Sequence, residues 1–515
     1  MKRNMIFAMA MLMGTSVMAQ ETYEDTRLVE SDLNGTARYV GMGGAMEALG
    51  ADISTMSTNP AGIGLFRSSS VSGTVSLLSQ QDVKKFSPGN KTNFSLDQVG
   101  FVYSAPNYDR TSFLNLGFTY RKSRNFNQIL SAVAPLENAS QNKLTYQKFR
   151  REIFLNRTDL TYTTVDALYM ENLLYNQAED MYFYFPATSY EYNRAQKGYI
   201  GEYDLNISGN IKNRVFLGVT FGIHDVHYKH YSEYGEKFQE NEDGIKGLTM
   251  IDDKRVSGTG TDIKFGAIVR PVENSPFRIG AYIHTPTWYE LESSSVTRLT
   301  DGSISIDKEE SYKYKIYTPW KFGLSAGHTI GNFLALGATY EYADYSSMTN
   351  RIKENEYYYS FIDRAYSYSH KDNNMNTHTE KTLKGVSTVK VGAEFKPDPS
   401  IAVRLGYNYV SPLCDNMGSK DGTVKSPGTY YETETSYTNW KATNRITAGI
   451  GWNATPHLTL DVAYQYSTTK GDFYPFMNYY ENDVDGPKSI EDNHCDAKEV
   501  SFNKHQVLCT LSYKF

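Results

Sequence analysis

Alternation of apolar and polar residues is the feature that most constrains the fold of this chain. In residues 199–211, every odd position holds an apolar residue, a tyrosine or a glycine, and most even positions are polar. Residues 401–409 and 458–466 repeat the pattern. Because successive side chains of a β-strand point to opposite faces, each segment predicts a strand with one apolar and one polar face.

Fourteen such segments can be counted, an even number. They lie near residues 71–79, 96–105, 112–122, 198–212, 214–229, 256–271, 276–300, 311–330, 333–348, 385–397, 400–411, 442–454, 457–468 and 500–515. Six short turns, at residues 106–111, 212–214, 271–276, 331–332, 397–400 and 453–457, alternate with seven longer loops. Outer-membrane barrels have short periplasmic turns and long outer loops. We therefore predict an all-β protein, a transmembrane antiparallel β-barrel of about 14 strands.

The composition fits this fold. The chain has 42 Tyr and 25 Phe, yet its mean hydropathy is only −0.52, because a barrel strand needs apolar residues only at alternate positions. No segment beyond the N-terminus approaches ~18 consecutive apolar residues, so we predict no membrane-spanning helix. A secreted β-sandwich or propeller is the alternative, but it leaves the alternating short and long connections and the tyrosine-rich strand ends unexplained.

The first 19 residues have the features of a signal peptide. Lys2 and Arg3 precede an apolar run, and residues 17–19 form a small-residue cleavage pattern. Cleavage would make Gln20 the first residue of the mature chain. The 52 basic residues less Lys2 and Arg3 leave 50, against 58 acidic residues. This acidic excess argues against a nucleic-acid partner.

Residues 34–66 differ from the rest of the chain. They are rich in Gly, Ala and Met, contain few charges and lack strand alternation. Asp52 and Ser54 are candidate N-caps for a short helix that ends near Asn59 and Pro60. We predict a small helical plug inside the lumen, with residues 20–66 as leader and hatch and residues 67–515 as the barrel.

The motif Asn59-Pro60-Ala61-Gly62, placed after this small-residue segment and before the strands, resembles the hatch of the FadL/TodX family of outer-membrane transporters for hydrophobic compounds. The resemblance implies that these four residues belong to the hatch. It also implies passive uptake of long-chain fatty acid-like molecules, without ATP, in which the ligand leaves sideways through a gap in the barrel wall. The leader that precedes the hatch departs from the family pattern.

The resemblance also implies the partners and the location. The final strand ends in Phe515, which resembles the signal that the barrel-assembly machinery recognises. A multi-pass barrel in the outer membrane of a Gram-negative-type cell would contact its lipid and lipopolysaccharide. We predict a hydrophobic small-molecule ligand, no cofactor, no metal and no catalytic residue.

Charged residues on the predicted inner face need partners, because an unpaired charge among packed side chains is costly. Across the turn at 397–400, Glu394 and Arg404 are expected to meet. Across the turn at 453–457, we expect the same of Arg445 and Asp461. We predict ladders of ion pairs that hold the plug or one another.

Two motifs that suggest chemistry are weak. Residues 323–327 fit G-x-S-x-G but lie within a predicted strand, whereas a nucleophile elbow needs a sharp strand-to-helix turn. His224, His227 and His230 lie at the outer end of a strand, where haem or metal capture is conceivable. His227 is expected to face away from the other two, which is poor geometry for one metal ion.

The longest loop, 123–197, is expected to contain two amphipathic helices. Apolar residues recur at helical spacing in two places, Ile129, Leu130, Val133 and Leu136, and Val165, Leu168, Tyr169 and Leu173. The loop would form a lid that packs on the barrel rim, or gather hydrophobic ligand. Cys414 and Cys495 fall in two outer loops and could form a disulfide, whereas Cys509 is predicted to face lipid.

Three rival functions were weighed against transport of hydrophobic molecules. A general porin would keep an open aqueous lumen, which a Gly/Ala-rich plug argues against. An energised haem receptor would need a larger plug than the roughly 50 residues before the first strand, and about 22 strands. An enzyme would need a catalytic constellation. The identity of the ligand, its pocket, the wall opening and the oligomeric state are left open by the sequence.

Overall fold

The structure is a computed structural model that describes residues 20–108, 111–155, 161–172, 175–176, 181–241, 244–273, 275–302, 305–353, 369–479 and 492–515. The predicted signal peptide lies outside these residues. The helices are α1 Thr22–Val29, α2 Ala37–Gly41, α3 Gln141–Leu155, α4 Thr164–Asn172, α5 Asn373–Thr382 and α6 Pro427–Tyr430, with 3-10 turns at Ile53–Ser57, Pro60–Leu65 and Tyr345–Ser347. None of the described helices is both long and apolar enough to cross a membrane.

Fourteen antiparallel strands form one closed barrel. They are β1 Ser70–Gln80, β2 Thr92–Pro106, β3 Phe113–Asn125, β4 Ala187–Ile211, β5 Val215–Phe238, β6 Gly247–Val269, β7 Arg278–His284 with Trp288–Thr300, β8 Ser305–Tyr317 with Lys321–Ile330, β9 Leu334–Asp344 with Thr349–Lys353, β10 Gly385–Asp398, β11 Ile401–Val410, β12 Tyr437–Asn453, β13 Leu458–Tyr474 and β14 Lys498–Lys514. Each strand pairs with its neighbours in sequence, and β14 closes the barrel on β1, with Val71 opposite Tyr513. The predicted fold and strand number are confirmed.

The strands extend further at one end than the sequence predicted. β4 begins at Ala187 rather than near 198, and β5 continues to Phe238 rather than 229. All six predicted short turns lie together at the opposite end, the turn end. One of the seven predicted long loops, between residues 300 and 311, is wrong. β8 begins at Ser305, which pairs with Thr300 at the end of β7. Residues 305–310 pair with residues 295–300 of β7, and this pairing extends the hairpin.

The two faces of the wall differ as the alternation predicted. Leu205, Ile207, Leu324, Leu405 and Ile446 are among many outward residues that are more than half exposed. The inward row is mostly polar and buried. In β4 it runs through Glu202, Asp204, Asn206, Ser208 and Asn210. An apolar outer surface around a polar interior is the arrangement of a transmembrane barrel.

The first helix predicted in the long loop is wrong. Residues Gln128–Pro135 form a strand that continues β3 and pairs with the projecting part of β4, with Gln128 opposite Gln196 and Pro135 opposite Ser189. The backbone groups of that part of β4 need partners, and this pairing overrides the helical spacing. The second predicted helix corresponds to α4, whereas Leu173 lies outside the described residues.

Three short strands complete the loop end. Tyr175–Asn176 pairs with Met181–Tyr182, and Ser369–Lys371 pairs with Thr349–Lys353 of β9. Helices α3 and α4 pack beside each other, with the buried Lys148 Nζ 2.6 Å from Asp166 Oδ2. The loop segments therefore form a packed cap over the barrel.

Candidate functional site

The N-terminal segment runs through the lumen from the loop end to the turn end. Gln20 lies at the loop end, where its side-chain oxygen accepts a hydrogen bond from Tyr312. At the other end, Pro60–Leu65 contacts the barrel near the turn between β4 and β5, and Ser208 Oγ donates to the Pro60 carbonyl at 2.8 Å. Gly43 adopts φ 63°, and a side chain there would meet the Tyr407 backbone. The segment is therefore a plug fitted closely to the wall.

The motif residues that suggested a hatch lie in this plug. Asn59 caps the turn Pro60–Leu65 by accepting from the Ala61 amide at 3.2 Å, and its amide group donates to the Glu47 carbonyl at 3.0 Å. Pro60 takes the first helical position, where its missing N–H costs nothing. Ala61 and Gly62 are fully or nearly buried. Asp52 caps Ile53–Ser57, as the sequence predicted.

Glu47 anchors the plug to the barrel, although the sequence analysis did not single it out. It is fully buried, and its carboxylate accepts from Lys390 Nζ at 2.8 Å, Tyr39 Oη at 3.0 Å and Thr339 Oγ1 at 2.7 Å. The available signal was that Glu47 is one of only two acids in residues 34–66. A buried charge there requires a cation on the facing strands.

A second anchor is a chain of charges from the plug into the wall. Arg38 Nε lies 3.0 Å from Glu394 Oε2, and Arg404 Nε lies 2.6 Å from the same oxygen. Arg404 Nη1 then lies 2.6 Å from Asp461 Oδ1. The structure thus places Glu394 opposite Arg404, as expected across that turn.

The expected pair of Arg445 and Asp461 is not formed. In the β12–β13 hairpin, Arg445 lies opposite Ser467 and Asp461 lies opposite Gly451. The register set by the turn therefore separates the two charges along the strands. Asp461 pairs with Arg404, whereas Arg445 Nη1 donates to Asn408 Oδ1 at 2.8 Å.

A third charge cluster holds the middle of the plug. Ser57 Oγ donates to Asp204 Oδ2 at 2.5 Å, and Lys264 Nζ lies 2.8 Å from Asp204 Oδ1. Lys264 also lies 2.5 Å from Glu202 and 3.2 Å from Asp262. The possible ligand atoms of Glu202, His224 and Asp262 lie within 4.8 Å of one another, as a metal site would require. The Lys264 ammonium already occupies the cation position among these carboxylates.

The structure does not bring the three histidines together. His224 Nε2 lies 3.0 Å from Asp262 Oδ2 inside the lumen. His230 is buried nearer the loop end and contacts Ser232 Oγ at 3.0 Å. His227 is exposed on the outer face, beside Asp225. These residues do not form one haem or metal site.

The leader helix α1 fills the loop end of the lumen. Glu24 forms an ion pair with Lys254, and Arg27 Nη1 lies 2.6 Å from Glu434 Oε2. Asp25 is fully buried, and neither of its carboxylate oxygens has a hydrogen-bond partner in the described part of the chain. Burial raises the pKa of Asp25; the Asn350 side chain offsets part of this effect, and the nearby carboxylates of Glu21 and Glu24 raise the pKa further.

A cavity of about 270 Å³ lies between the leader and the wall. One part of its lining is apolar or aromatic and includes Leu28, Phe126, Ile200, Leu413 and Tyr437. Another part is charged and includes Arg124, Arg445, Lys504, Glu30 and Asp32. The cavity is therefore amphipathic.

The charged part of the cavity has an excess of positive charge. Asp32 lies 3.1 Å from Lys504 and 3.8 Å from Arg124, which also pairs with Glu30 at 2.9 Å. Arg445 is buried, has no carboxylate within ion-pairing distance among the described residues, and its Nε has no acceptor. A buried guanidinium that has no carboxylate within ion-pairing distance favours an anionic ligand.

The barrel wall is interrupted next to this cavity. β2 pairs with β3 only from Gln98 opposite Arg121 to Pro106 opposite Phe113. Beyond that point, residues 92–96 pair with β1 and residues 122–125 pair with β4, but the two segments do not pair with each other. Residues 123–125 at the end of β3, and Phe126 after them, line the cavity.

The leader closes this interruption in place of a strand. The Asp32 amide donates to the Ser123 carbonyl at 2.8 Å, and its carboxylate accepts from the Asn125 amide at 2.9 Å. Asn34 Nδ2 donates to the Lys122 carbonyl at 3.0 Å and to Asp97 Oδ1 at 3.1 Å. This role was not predicted for Asp32 or Asn34, because the contacts join segments far apart in sequence.

The cysteines, residues 323–327 and Phe515 are the remaining features that the sequence singled out. All three cysteines are free, so the suggested bridge between Cys414 and Cys495 is absent. Burial raises the pKa of both thiols to about 12. Gly323, Ser325 and Gly327 face inward within a regular part of β8, without the strand-to-helix turn of a nucleophile elbow. Phe515 lies exposed at the turn end.

A closed 14-stranded barrel that is apolar outside and filled by its own N-terminal segment is a plugged β-barrel of the outer-membrane class. The solved structure of the toluene transporter TbuX from Ralstonia pickettii shares this fold, with 11% sequence identity, a TM-score of 0.51, and coverage of 94% of this chain and 99% of TbuX. The resemblance inferred from the sequence is thus confirmed for the fold.

Two further solved structures match with slightly lower TM-scores. A FadL homologue from Pseudomonas aeruginosa has 12% identity and a TM-score of 0.49, covering 98% of this chain and 100% of its own. The toluene transporter TodX from Pseudomonas putida has 10% identity and a TM-score of 0.49, covering 94% and 99%. No protein-family model and no curated protein sequence matches this chain.

Proposed function

We propose that this protein takes up hydrophobic molecules with an acidic end group, such as long-chain fatty acids, passively across the outer membrane. The observation that carries the proposal is the interruption between β2 and β3 beside an amphipathic cavity. In this mechanism, ligand enters at the loop end, occupies the cavity and leaves sideways into the membrane when the leader withdraws from Lys122, Ser123 and Asn125.

Physical chemistry favours this route over an aqueous pore. An apolar chain gains about 0.8 kcal/mol per methylene on entering lipid, so a lateral exit needs no energy source. The lumen is filled by the plug along its length, which argues against a general porin. The short turns would face the periplasm and the loops the exterior.

The charge of the cavity favours an amphipathic acid over a neutral hydrocarbon. TbuX is a toluene transporter, and its fold supports a route for hydrophobic compounds here. In this chain, however, Arg445, Arg124 and Lys504 line the cavity with only Glu30 and Asp32 as nearby countercharges. A carboxylate would supply the missing acceptor for Arg445, while its tail would lie against Phe126 and Ile200.

The test is calorimetric binding to the purified folded barrel, in a detergent that does not mimic the ligand. A long-chain fatty acid should bind saturably, and its methyl ester and toluene should bind at least about tenfold more weakly, because a charge-assisted hydrogen bond is lost. Arg445→Met should lose the same preference. Arg298→Met, at an exposed pair with Asp307 at the loop end, is the control.

Two results would overturn the proposal. Equal binding of acid and ester would remove the role of Arg445, and absence of binding by all three would remove the hydrophobic-transport function. Binding of haemin alone, lost in His224→Ala, would instead assign haem capture to the lumen.

We also propose that Phe515 serves assembly. Its ring packs 5.1 Å from Tyr513 on the outward row of β14, at the turn end. Deletion of Phe515 should lower the amount of folded barrel in the membrane, as measured by heat-modifiable migration. An unchanged amount would remove that role.

A further inference from the structure

Three arginines lie together at the turn end of the lumen, and none of them has an acidic partner among the residues that the structure describes. Arg67 follows the plug, Arg270 follows β6, and Arg278 begins β7. Arg67 Nη2 donates to Asn213 Oδ1 at 2.7 Å, and Arg270 Nη1 donates to the Asn213 carbonyl at 3.3 Å. Ile279 pairs with Val269, so Arg278 and Arg270 lie opposite each other where β6 turns into β7. The three guanidinium groups therefore form one cationic cluster.

The hydrogen-bond acceptors that the described residues offer this cluster are all neutral. Arg67 Nη1 donates to the carbonyls of Gly64 and Phe66, Arg270 Nη2 to that of Ser275, and Arg278 Nη1 to that of Leu49 at 2.6 Å. Within the described part of the chain, no carboxylate is in ion-pairing distance of any of the three. Glu273 is the nearby acid, and it faces solvent 4.0 Å from Arg214.

The donors left over point to a ligand. Nε of Arg270 and Nε of Arg278 are both buried and have no acceptor among the described residues. Grouping three like charges is unfavourable unless an anion neutralises them. Guanidinium groups bind phosphate and carboxylate oxygens in bidentate geometry. We propose that Arg67, Arg270 and Arg278 form an oxyanion-binding site for a phosphate group at the turn end of the lumen.

The site is coupled to the plug. Arg278 donates to the Leu49 carbonyl, and Arg67 donates to the carbonyls of Gly64, in the turn Pro60–Leu65, and of Phe66, which caps that turn. A bound phosphate group neutralises the repulsion within the cluster and so strengthens these attachments. The oxyanion site is separate from the cavity and does not depend on the transported ligand.

The test measures phosphate binding to the full-length folded barrel. Inorganic phosphate is titrated in detergent by calorimetry, with hydrogen exchange of residues 47–66 as a second readout. Binding should be saturable and should slow exchange of the plug. Arg270→Gln should weaken binding at least about tenfold; Arg270 donates to the carbonyls of Asn213 and Ser275, which lie in the barrel turns and not in the plug. The control Arg298→Gln, an exposed arginine at the loop end, should bind as the wild type does.

A second arm distinguishes the source of the phosphate group. The barrel is placed in nanodiscs of phosphatidylcholine with or without phosphatidylglycerol. If plug protection depends on phosphatidylglycerol and is lost in Arg270→Gln, the ligand is a lipid headgroup; if free phosphate suffices, it is a solute. The proposal is overturned if neither probe binds saturably, or if Arg270→Gln binds as tightly as the wild type.

Discussion

Single buried charges fasten the plug to the barrel, and Glu47 is the most enclosed of them. Its carboxylate has three partners, of which Lys390 is the only cation. Glu47→Gln removes the nearer carboxylate of the buried Lys390 ammonium and leaves it Glu341, 4.0 Å away; breaking one side of a buried ion pair typically costs about 3–5 kcal/mol. We expect the free energy of local opening of the plug, measured by native-state hydrogen exchange, to fall by that order.

Two further variants test whether the effect of Glu47→Gln comes from the ion pair. Glu47→Gln combined with Lys390→Met should recover part of the lost protection, because no unpaired charge is left behind. Glu273→Gln, an exposed acid at the turn end, should leave exchange unchanged. Wild-type exchange in Glu47→Gln would mean that the ion pair does not hold the plug.

Asp25 makes docking of the leader depend on pH. Its pKa is raised from the ordinary value of 3.8, mainly by burial, so the docked leader prefers the protonated acid. A raised pKa in the docked state gives the greatest stabilisation below 3.8, and the stabilisation is lost as pH rises towards the raised pKa. The facing carboxylates of Glu21, Glu24 and Asp372 act in the same direction.

We therefore expect protection of α1 from hydrogen exchange, corrected for intrinsic rates, to fall between pH 5 and pH 8. Asp25→Asn keeps the side-chain shape but cannot ionise, so its loss of protection over that range should be smaller. An identical pH dependence in wild type and variant would show that Asp25 does not control docking.

At the β2–β3 interruption, the leader forms hydrogen bonds where the two strands do not pair with each other. If this contact gates lateral exit, fixing it should block uptake. We expect Asn34→Cys with Asp97→Cys, joined by a short bifunctional maleimide, to stop fatty-acid uptake by cells, because the leader can no longer leave the opening. The Asn34 amide and Asp97 carboxylate are 3.1 Å apart in the closed state.

The matched control is Arg298→Cys with Asp307→Cys, which joins two neighbouring strands far from the opening. Cys509→Ser is made in both backgrounds, since that thiol is partly exposed. Conversely, Asn34→Ala removes two hydrogen bonds, about 2 kcal/mol, and should speed uptake. Unaltered uptake in the cross-linked barrel would place the exit elsewhere.

At the scale of the whole molecule, the filled lumen predicts very low ion conductance. Leader, plug and ion-pair networks occupy the barrel from Gln20 at one end to Leu65 at the other. In planar bilayers we expect the wild type to be nearly closed, whereas deletion of residues 20–66 should open a stable aqueous pore of the 14-stranded barrel. Porin-like conductance of the wild type would contradict the plug.

Local sequence signals were enough to predict several elements of the fold. A period of two residues defined 14 strands and their outward faces, since side-chain direction in a strand follows from the backbone alone. Asp52 and Asn59 marked the plug turns, because a cap bonds to amides within its own next turn. Glu394 and Arg404 could be paired because a tight turn places them opposite each other.

The remaining features depend on contacts between residues far apart in sequence. The register of the β12–β13 hairpin pairs Asp461 with Arg404 and gives Arg445 no direct ion pair among the described residues, since a shift along a hairpin changes every cross-strand pair. Pairing with β4 turned Gln128–Pro135 from an apparent helix into a strand. The contacts of Asp32, Asn34 and Glu47 join residues far apart in sequence, and no local pattern records which distant groups burial will bring together.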